Sequence, residues 1–512
     1  MPSTLVFIRK PLTPKCFHLI LNSHFSEVSR RSLKRALKTQ TGSVLYDCKM
    51  FAVLEAGRFL YGDVLVDLIT SVVYPEADLR LKGGLKRDTN GLGSWLGVAG
   101  SMSVASFLLL TFVILLVVAI LHIPLPYEIC DRHKVQFFEF LLRVSNEYVG
   151  NVIELLFGVR LRNYFTRFVA GIPYFFQSKP PKWCKIRVEK IAGVNCRVYI
   201  PEKSKRTSDS LLIFIHGGGW CIMKPRYYDG PLLSLIRRTG TPIVSIDYDL
   251  SPEKQFPHAI LQCEGVIKEL YEKKFADYKV NKEKMVLMGD SAGGNLTAVT
   301  CQRLKRQGKG HYIKSQILVY PVIHMFDFLS PSYQLYYYRY KGTALLNPYS
   351  LARWYLMYVG IEPSMKNIKL MIKNQHLHKE VVEHLENTGL VHHHRLPLAW
   401  TDKSTYQKPI QTSNSDPQLA EKFRQILTNP DICPIIEKDL ANLPPALIMT
   451  AGIDVLRDEG VHYAARLKEN GVRTRWNHYE SAFHGVMNMP KSKQRKQMLD
   501  DIHTHLLELK LL

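Results

Sequence analysis

From residue 185 onward, short apolar runs alternate with longer stretches whose apolar positions recur every three or four residues. Lys185 to Ile200 alternates and predicts an edge strand or hairpin. Leu211–Ile215 and Pro242–Ile246 read as buried strands with a helix over 228–238 between them. A helix over 259–272 leads to a strand at 285–289, a helix from Ala292 to Lys305 and a strand at 315–320. Residues 322–440 break this rhythm with a cluster of tyrosines, helical patterns and a polar stretch at 401–417, and read as an inserted lid. The rhythm resumes with a strand at 445–449, a helix over 458–470, a strand over 474–479 and a closing helix over 493–510. Apolar strands alternating with helices of this length predict an α/β domain, over 185–512, with a mostly parallel sheet covered on both faces.

The chain before residue 185 follows other patterns. No charged residue occurs from Leu96 to Tyr127, and the centre from Phe107 to Leu121 is almost wholly apolar. At about 1.5 Å per residue, a helix over 99–121 would cross about 30 Å of hydrocarbon, which predicts a transmembrane signal-anchor and the bilayer as a partner. Lys82, Lys86 and Arg87 before the span outweigh the flanking charge after it, placing the N-terminus in the cytosol and the large domain in the lumen. Residues 1–98 read as a cytosolic extension, partly disordered. Their first 40 positions hold eight Lys or Arg and one acid, a composition that also suits a mitochondrial targeting peptide. Residues 122–184 show helical period with many aromatics, and read as cap or membrane-proximal helices, with ordinary core packing as the alternative.

Composition adds little to this until charge is counted. Sixty-eight Lys and Arg against 45 Asp and Glu give a net charge of +23. The basic residues are scattered and no nucleic-acid-binding signature occurs, so nucleic acid is set aside in favour of an anionic lipid surface. The nine cysteines form no CxxC pair, and their odd number leaves at least one outside any intramolecular disulfide. The run His392-His393-His394 does not predict a metal site, because adjacent residues cannot easily converge on one ion and no Cys or carboxylate spacing assists.

The candidate chemistry centres on Gly289-Asp290-Ser291-Ala292-Gly293, placed between a predicted strand and a predicted helix. Gly-x-Ser-x-Gly in that setting is the pattern of a nucleophile elbow. A serine hydroxyl needs a general base, and the base needs an orienting carboxylate. Both follow in the expected order after later strands: Asp454, and His484 in Phe483-His484-Gly485. Asp458 and Glu459 rival Asp454 but read as first-turn helix residues favoured by the dipole. His216-Gly217-Gly218-Gly219-Trp220, directly after the strand at 211–215, reads as an oxyanion loop. The N–H groups of Gly218, Gly219 and Ala292 are its candidate donors, with His216 as a brace. Asp290 reads as structural, or as part of the elbow's hydrogen bonding. Asn295-Leu296-Thr297 fits a glycosylation pattern but falls on the elbow helix, where burial argues against a glycan.

Together with Arg226-Tyr-Tyr-Asp229, Tyr320-Pro-Val322 and Asp454-Val-Leu-Arg-Asp458, these motifs resemble the arylacetamide deacetylase and neutral cholesterol ester hydrolase family, in the hormone-sensitive-lipase-like branch of the α/β-hydrolases. The resemblance covers about residues 102–512. It implies an α/β-hydrolase fold with a mostly parallel sheet and a helical cap, preceded by one transmembrane helix. It also implies a single-pass type II protein of the endoplasmic reticulum membrane with a lumenal catalytic domain, needing no cofactor or metal. The expected activity is a membrane-anchored serine hydrolase cleaving lipid carboxylic esters, of cholesteryl ester or acetylated ether lipid type, through an acyl-enzyme. The alternative is an esterase and amidase acting on small aryl esters and amides. A binding protein on an inactive hydrolase scaffold is disfavoured because all three triad residues are present. The chain departs from the family at Asp249, where an Arg is usual, at Gln262, where an Asp is usual, and at Ser481-Ala482, where Asp-Gly is usual.

Overall fold

The computed structural model describes residues 122–175, 180–339, 346–401 and 415–512. Two helices come first, α1 (Arg132–Arg143) and α2 (Gly150–Gly171), the second bent at Gly158 where φ is 82°. The hairpin β1 (Cys184–Ile191) and β2 (Val194–Pro201) follows. Then come β3 (Leu211–Ile215), α3 (Asp229–Thr239), β4 (Ile243–Ile246), α4 (His258–Glu269), β5 (Met285–Asp290), α5 (Ala292–Arg306) and β6 (Ser315–Val319). Among the described residues, five α-helices separate β6 from the next strand: α6 (Pro331–Arg339), α7 (Pro348–Val359), α8 (Met365–Met371), α9 (Lys379–Thr388) and α10 (Pro417–Leu427). The chain ends in β7 (Ala446–Ile453), α11 (Arg457–Glu469), β8 (Thr474–Phe483) and α12 (Lys493–Glu508).

The strands form one eight-stranded sheet in the order β1-β2-β4-β3-β5-β6-β7-β8. β1 and β2 pair antiparallel, β2 and β4 antiparallel, and every later pair is parallel. Every residue of β3, β4, β5, β6 and β7 is buried, as helices on both faces require, whereas β1 at the edge mixes buried and exposed positions. The wide apolar period of the interior strands is therefore explained by two covered faces. Between β6 and β7 the core continues: Tyr333, Tyr355, Leu356 and Tyr358 are buried. Local signals set these helix ends. The Asn347 side chain accepts from Ser350 N at the start of α7, where Pro348 fills the first turn, and Gly360 in left-handed geometry stops it.

The transmembrane element of the expected fold is corrected. Among the described residues no helix is long and apolar enough to cross a membrane. α2 has the length, at 22 residues, but carries Glu154, Arg160, Arg162, Asn163 and Arg167. The span expected over 99–121 lies outside the described residues, as does the extension 1–98. The bilayer partner, the type II topology, the lumenal placement and the endoplasmic reticulum location all hung on that span and are withdrawn with it.

Leu287, in the middle of β5, is wholly buried between the helical layers. Leu287→Ala should lower unfolding stability by about 2–5 kcal/mol. A urea titration should show a lower midpoint with an unchanged slope; an unchanged midpoint would contradict the packing described.

Candidate active site

The carboxyl ends of β3, β5, β7 and β8 converge on one group of side chains. Ser291 sits between β5 and α5 with φ 54° and ψ −122°, a backbone conformation rare outside glycine. The neighbouring glycines make the turn possible. A Cβ on Gly289 would lie 2.2 Å from the Gly293 carbonyl oxygen, and a Cβ on Gly293 would lie 2.1 Å from that of Ile215. The turn is tied to the next strand by Ser291 N donating to Val319 O at 2.9 Å. The serine hydroxyl is thereby fixed in direction before any partner is considered.

The structure brings the three expected residues together. Ser291 Oγ lies 2.9 Å from His484 Nε2, and His484 Nδ1 lies 2.8 Å from Asp454 Oδ2. Asp454 Oδ1 accepts from Leu456 N at 2.9 Å, so both carboxylate oxygens are engaged. With Nδ1–H donating to Asp454, Nε2 keeps its lone pair for the serine proton. The rival acids point elsewhere. Asp458 accepts from Ser332 N at 2.7 Å and from Arg457 Nε at 2.8 Å. Glu459 Oε2 accepts from Ile323 N at 2.7 Å and His324 N at 3.1 Å. Both stand in the first turn of α11, yet they hold down the chain that leaves β6. Burial pushes the Glu459 carboxyl well above its usual range.

Across from the serine lies the loop His216–Trp220. Gly218, Gly219 and Trp220 all have positive φ, at 101°, 57° and 57°. Gly217 N donates to Asp290 Oδ1 at 2.7 Å and to Tyr228 Oη at 3.2 Å, which occupies that amide. The amides of Gly218 and Gly219 meet no acceptor among the described residues, and the Gly218 carbonyl is turned away to accept from Cys221 N and Ile222 N. The loop is tightly walled. A Cβ on Gly218 would lie 2.5 Å from Met223 Cγ, and one on Gly219 would lie 2.5 Å from Trp354 Cε3. Ala292, the remaining expected donor, is buried at the start of α5.

His216 braces this loop. Its ring stacks on Tyr248 at 4.3 Å, Nδ1 lies 2.8 Å from Gly217 O, and Tyr248 Oη donates to His216 O at 2.9 Å. Burial pulls its pKa down to about 4, so the ring is neutral at physiological pH. Asp290 joins elbow to loop through Gly217 N and Tyr228 Oη, the latter at 3.1 Å. Burial pushes the Asp290 carboxyl up to about 6 despite those donors.

Sequence reasoning missed several parts of the site. Tyr228 was visible only as a family mark in Arg226-Tyr-Tyr-Asp229, and its partner in space is 62 positions away. Asp229, next to it, takes two bonds from Arg197 and one from Tyr199 Oη. Arg167, on α2, donates to Cys221 O at 2.6 Å, Ser251 O at 2.8 Å and Glu253, and so latches α2 to the chain that follows the loop His216–Trp220. The departure at Asp249 is a reversal of polarity: its carboxylate meets His258 Nε2 at 2.8 Å and Gln262 Nε2 at 3.0 Å. Asn295 is buried, with Nδ2 donating to Ile432 O at 3.0 Å. His393 of the histidine run lies 2.9 Å from Asp327.

Comparison with known proteins agrees with this geometry. A family model described as alpha/beta hydrolase fold matches residues 212–395 and 400–488. Arylacetamide deacetylase of Rattus norvegicus is 31% identical over 418 residues, 78% of this chain and 99% of that protein. Neutral cholesterol ester hydrolase 1 of Mus musculus is 31% identical over 400 residues, 75% of this chain and 93% of that one. A hyperthermophilic esterase from the archaeon Pyrobaculum calidifontis superposes with a TM-score of 0.50 at 23% identity, over 76% of this chain and 100% of its own, and shares the fold. The chain belongs to the arylacetamide deacetylase and neutral cholesterol ester hydrolase family of α/β-hydrolases. It is a carboxylic ester hydrolase.

Two outcomes test this arrangement. Glu459→Gln keeps an acceptor for Ile323 N and His324 N and should leave stability unchanged or raise it at neutral pH. Glu459→Ala strands both amides and should cost about 2–6 kcal/mol, at roughly 1–3 for each buried donor left without a partner. Equal losses in the two variants by chemical denaturation would contradict the assignment. For Asp290, the folded carboxyl keeps its proton up to about pH 6, whereas an unfolded one releases it near 3.8. The folded state binds more protons in that window, so this group's contribution to stability falls as pH rises through it and stays low above. Asp290→Asn removes the titration. Its stability relative to wild type should therefore rise between about pH 4 and about pH 6 and level off above, and a pH-independent difference would contradict the assignment.

Proposed function

We propose that the protein hydrolyses small carboxylic esters and aryl amides by a serine mechanism, in the manner of an arylacetamide deacetylase. The line of hydrogen bonds Asp454–His484–Ser291 carries this reading. His484 Nε2 takes the Ser291 proton as Oγ attacks the substrate carbonyl. The oxyanion is held by the amides of Gly218, Gly219 and Ala292, a set left open because Asp290 and Tyr228 hold Gly217 N. His484 then protonates the departing alkoxide or amine, leaving an acyl ester on Ser291. Water, deprotonated by the same histidine, releases the acid and regenerates the serine.

This replaces the expectation of a membrane-anchored hydrolase of lipid esters. The anchor is not found among the described residues, and the arylacetamide deacetylases match this chain as well as the cholesterol ester hydrolases do. The approach to the nucleophile also favours small substrates: Ser291 is 7% exposed, and the Trp354 ring lies against Gly219 of the loop that faces it.

Ser291→Ala should reduce kcat on a short aryl ester by about 10⁴-fold or more, with the fold unchanged by circular dichroism. A short aryl ester and an aryl acetamide should be turned over in preference to a long-chain cholesteryl ester. Activity in Ser291→Ala within tenfold of wild type would refute the mechanism; preference for the cholesteryl ester would refute the substrate class.

A further inference from the structure

The bend that leaves β6, Val319-Tyr320-Pro321-Val322, grips the nucleophile by both polar groups of its backbone. Ser291 N donates to Val319 O at 2.9 Å, and Val322 N donates to Ser291 O at 3.2 Å. Between those bonds Pro321 packs against α5, where a Cβ on Gly294 would lie 2.8 Å from Pro321 Cβ. Tyr320 N donates to Met449 O on β7 at 2.7 Å. Just beyond the bend, Ile323 N and His324 N end on Glu459. The whole stretch is therefore tied down, residue by residue, by hydrogen bonds or packing.

Tyr320 is strained within it. Its φ is 35°, a region that a bulky side chain rarely enters. Such a conformation persists only where its surroundings over-determine it, and the bonds on either side do so here. What the strain secures is the direction of the side chain. The Tyr320 ring is buried, and its centroid lies 4.7 Å from that of the His484 ring, with the planes at 54°. A relaxed φ would carry the Cβ, and the ring with it, off the histidine. The histidine has a freedom for that ring to remove. Its Nδ1 is held by Asp454 Oδ2, but one hydrogen bond acts as a hinge, and the imidazole can turn about it and leave Ser291 Oγ without leaving the acid. A rigid ring set against the imidazole at an angle blocks that turn.

We propose that Tyr320 is a positioning residue for the general base: its ring, aimed by the strained bend, keeps His484 Nε2 in line with Ser291 Oγ. The same bend holds the serine backbone, so nucleophile and base are registered against one segment. This rests on the serine mechanism proposed above. The demand on His484 then differs between substrates. It takes the Ser291 proton in every acylation. It must also give a proton to a poor leaving group such as benzyl alkoxide, whereas 4-nitrophenolate departs without one. A histidine loosened at its ring fails twice on a benzyl ester and once on a nitrophenyl ester. Loss of folded protein lowers both alike.

The test compares the full chain as wild type, Tyr320→Leu and Tyr320→Phe on benzyl acetate and 4-nitrophenyl acetate, with folding followed by circular dichroism and thermal unfolding. Tyr320→Leu should lower kcat/KM by about tenfold on 4-nitrophenyl acetate and by about a hundredfold on benzyl acetate, with KM within about threefold of wild type. Tyr320→Phe, which keeps the ring, should return the ratio of the two substrates to within about twofold of wild type. If Tyr320→Leu does not fold, Tyr320→Met, with its adaptable side chain, takes its place. Equal falls on the two esters would overturn the proposal. So would an unchanged ratio in Tyr320→Leu, or a ratio in Tyr320→Phe as disturbed as in Tyr320→Leu. Failure of both the Leu and the Met variant to fold would assign Tyr320 to the scaffold alone and overturn it as well. Ser291→Ala is measured beside them. Activity surviving in Ser291→Ala would remove the serine mechanism itself. Its loss there, together with an undisturbed ratio in Tyr320→Leu, would remove only the role given to Tyr320.

Discussion

The end of β3 and the start of α5 pass so closely that any side chain on Gly293 would lie 2.1 Å from the Ile215 carbonyl oxygen. That contact puts the residue after β3 and the residue after β5 beside one another, so the loop His216–Trp220 and Ser291 are neighbours by construction. The positive φ of Ser291 follows from the same crowding, because the chain must reverse within a few residues to enter α5. Substituting the glycine would separate the loop from the serine before it touched any catalytic group.

Buried polar groups then set the finer geometry. Asp290 holds Gly217 N and Tyr228 Oη, so one loop amide is committed to the scaffold and the next two remain open. Glu459 and Asp458 fasten the chain after β6 to the helix that follows Asp454. Arg167 ties α2 to the chain that follows the loop His216–Trp220. Each is a charged or ionisable group held by backbone partners, where removing one side leaves the other buried and unsatisfied. The helices packed over the sheet are thus bonded to the same few residues that position the reaction.

The features legible in the sequence were those carried by neighbouring residues. The strands and helices from β3 to β6 and from β7 to α12 appear within a few residues of where apolar period placed them, because interior strands covered on both faces are short, apolar and sharply bounded. The elbow was legible for the same reason: its glycines and serine are adjacent. What could not be read was pairing across long separations. Tyr228 with Asp290, Glu459 with Ile323, and Arg167 with Cys221 each join residues dozens to more than a hundred positions apart, and nothing in the local pattern of either partner names the other. Asp458 and Glu459 show the limit clearly. Their place in a first helical turn was legible, but their work on the distant backbone was not. The membrane reading failed differently, by extending an apolar composition into a topology that no described helix supports.

The account stands on Ser291 forming a covalent acyl intermediate. The direct measurement is a stopped-flow burst with an activated aryl ester, followed by acid quenching and peptide mass analysis. The account predicts a burst of one leaving group per protein, with a single acyl mass on the peptide containing Ser291. A burst accompanied by an acyl group on another residue would contradict it, as would turnover with no acyl-enzyme on Ser291 even when deacylation is slowed with a hindered acyl group.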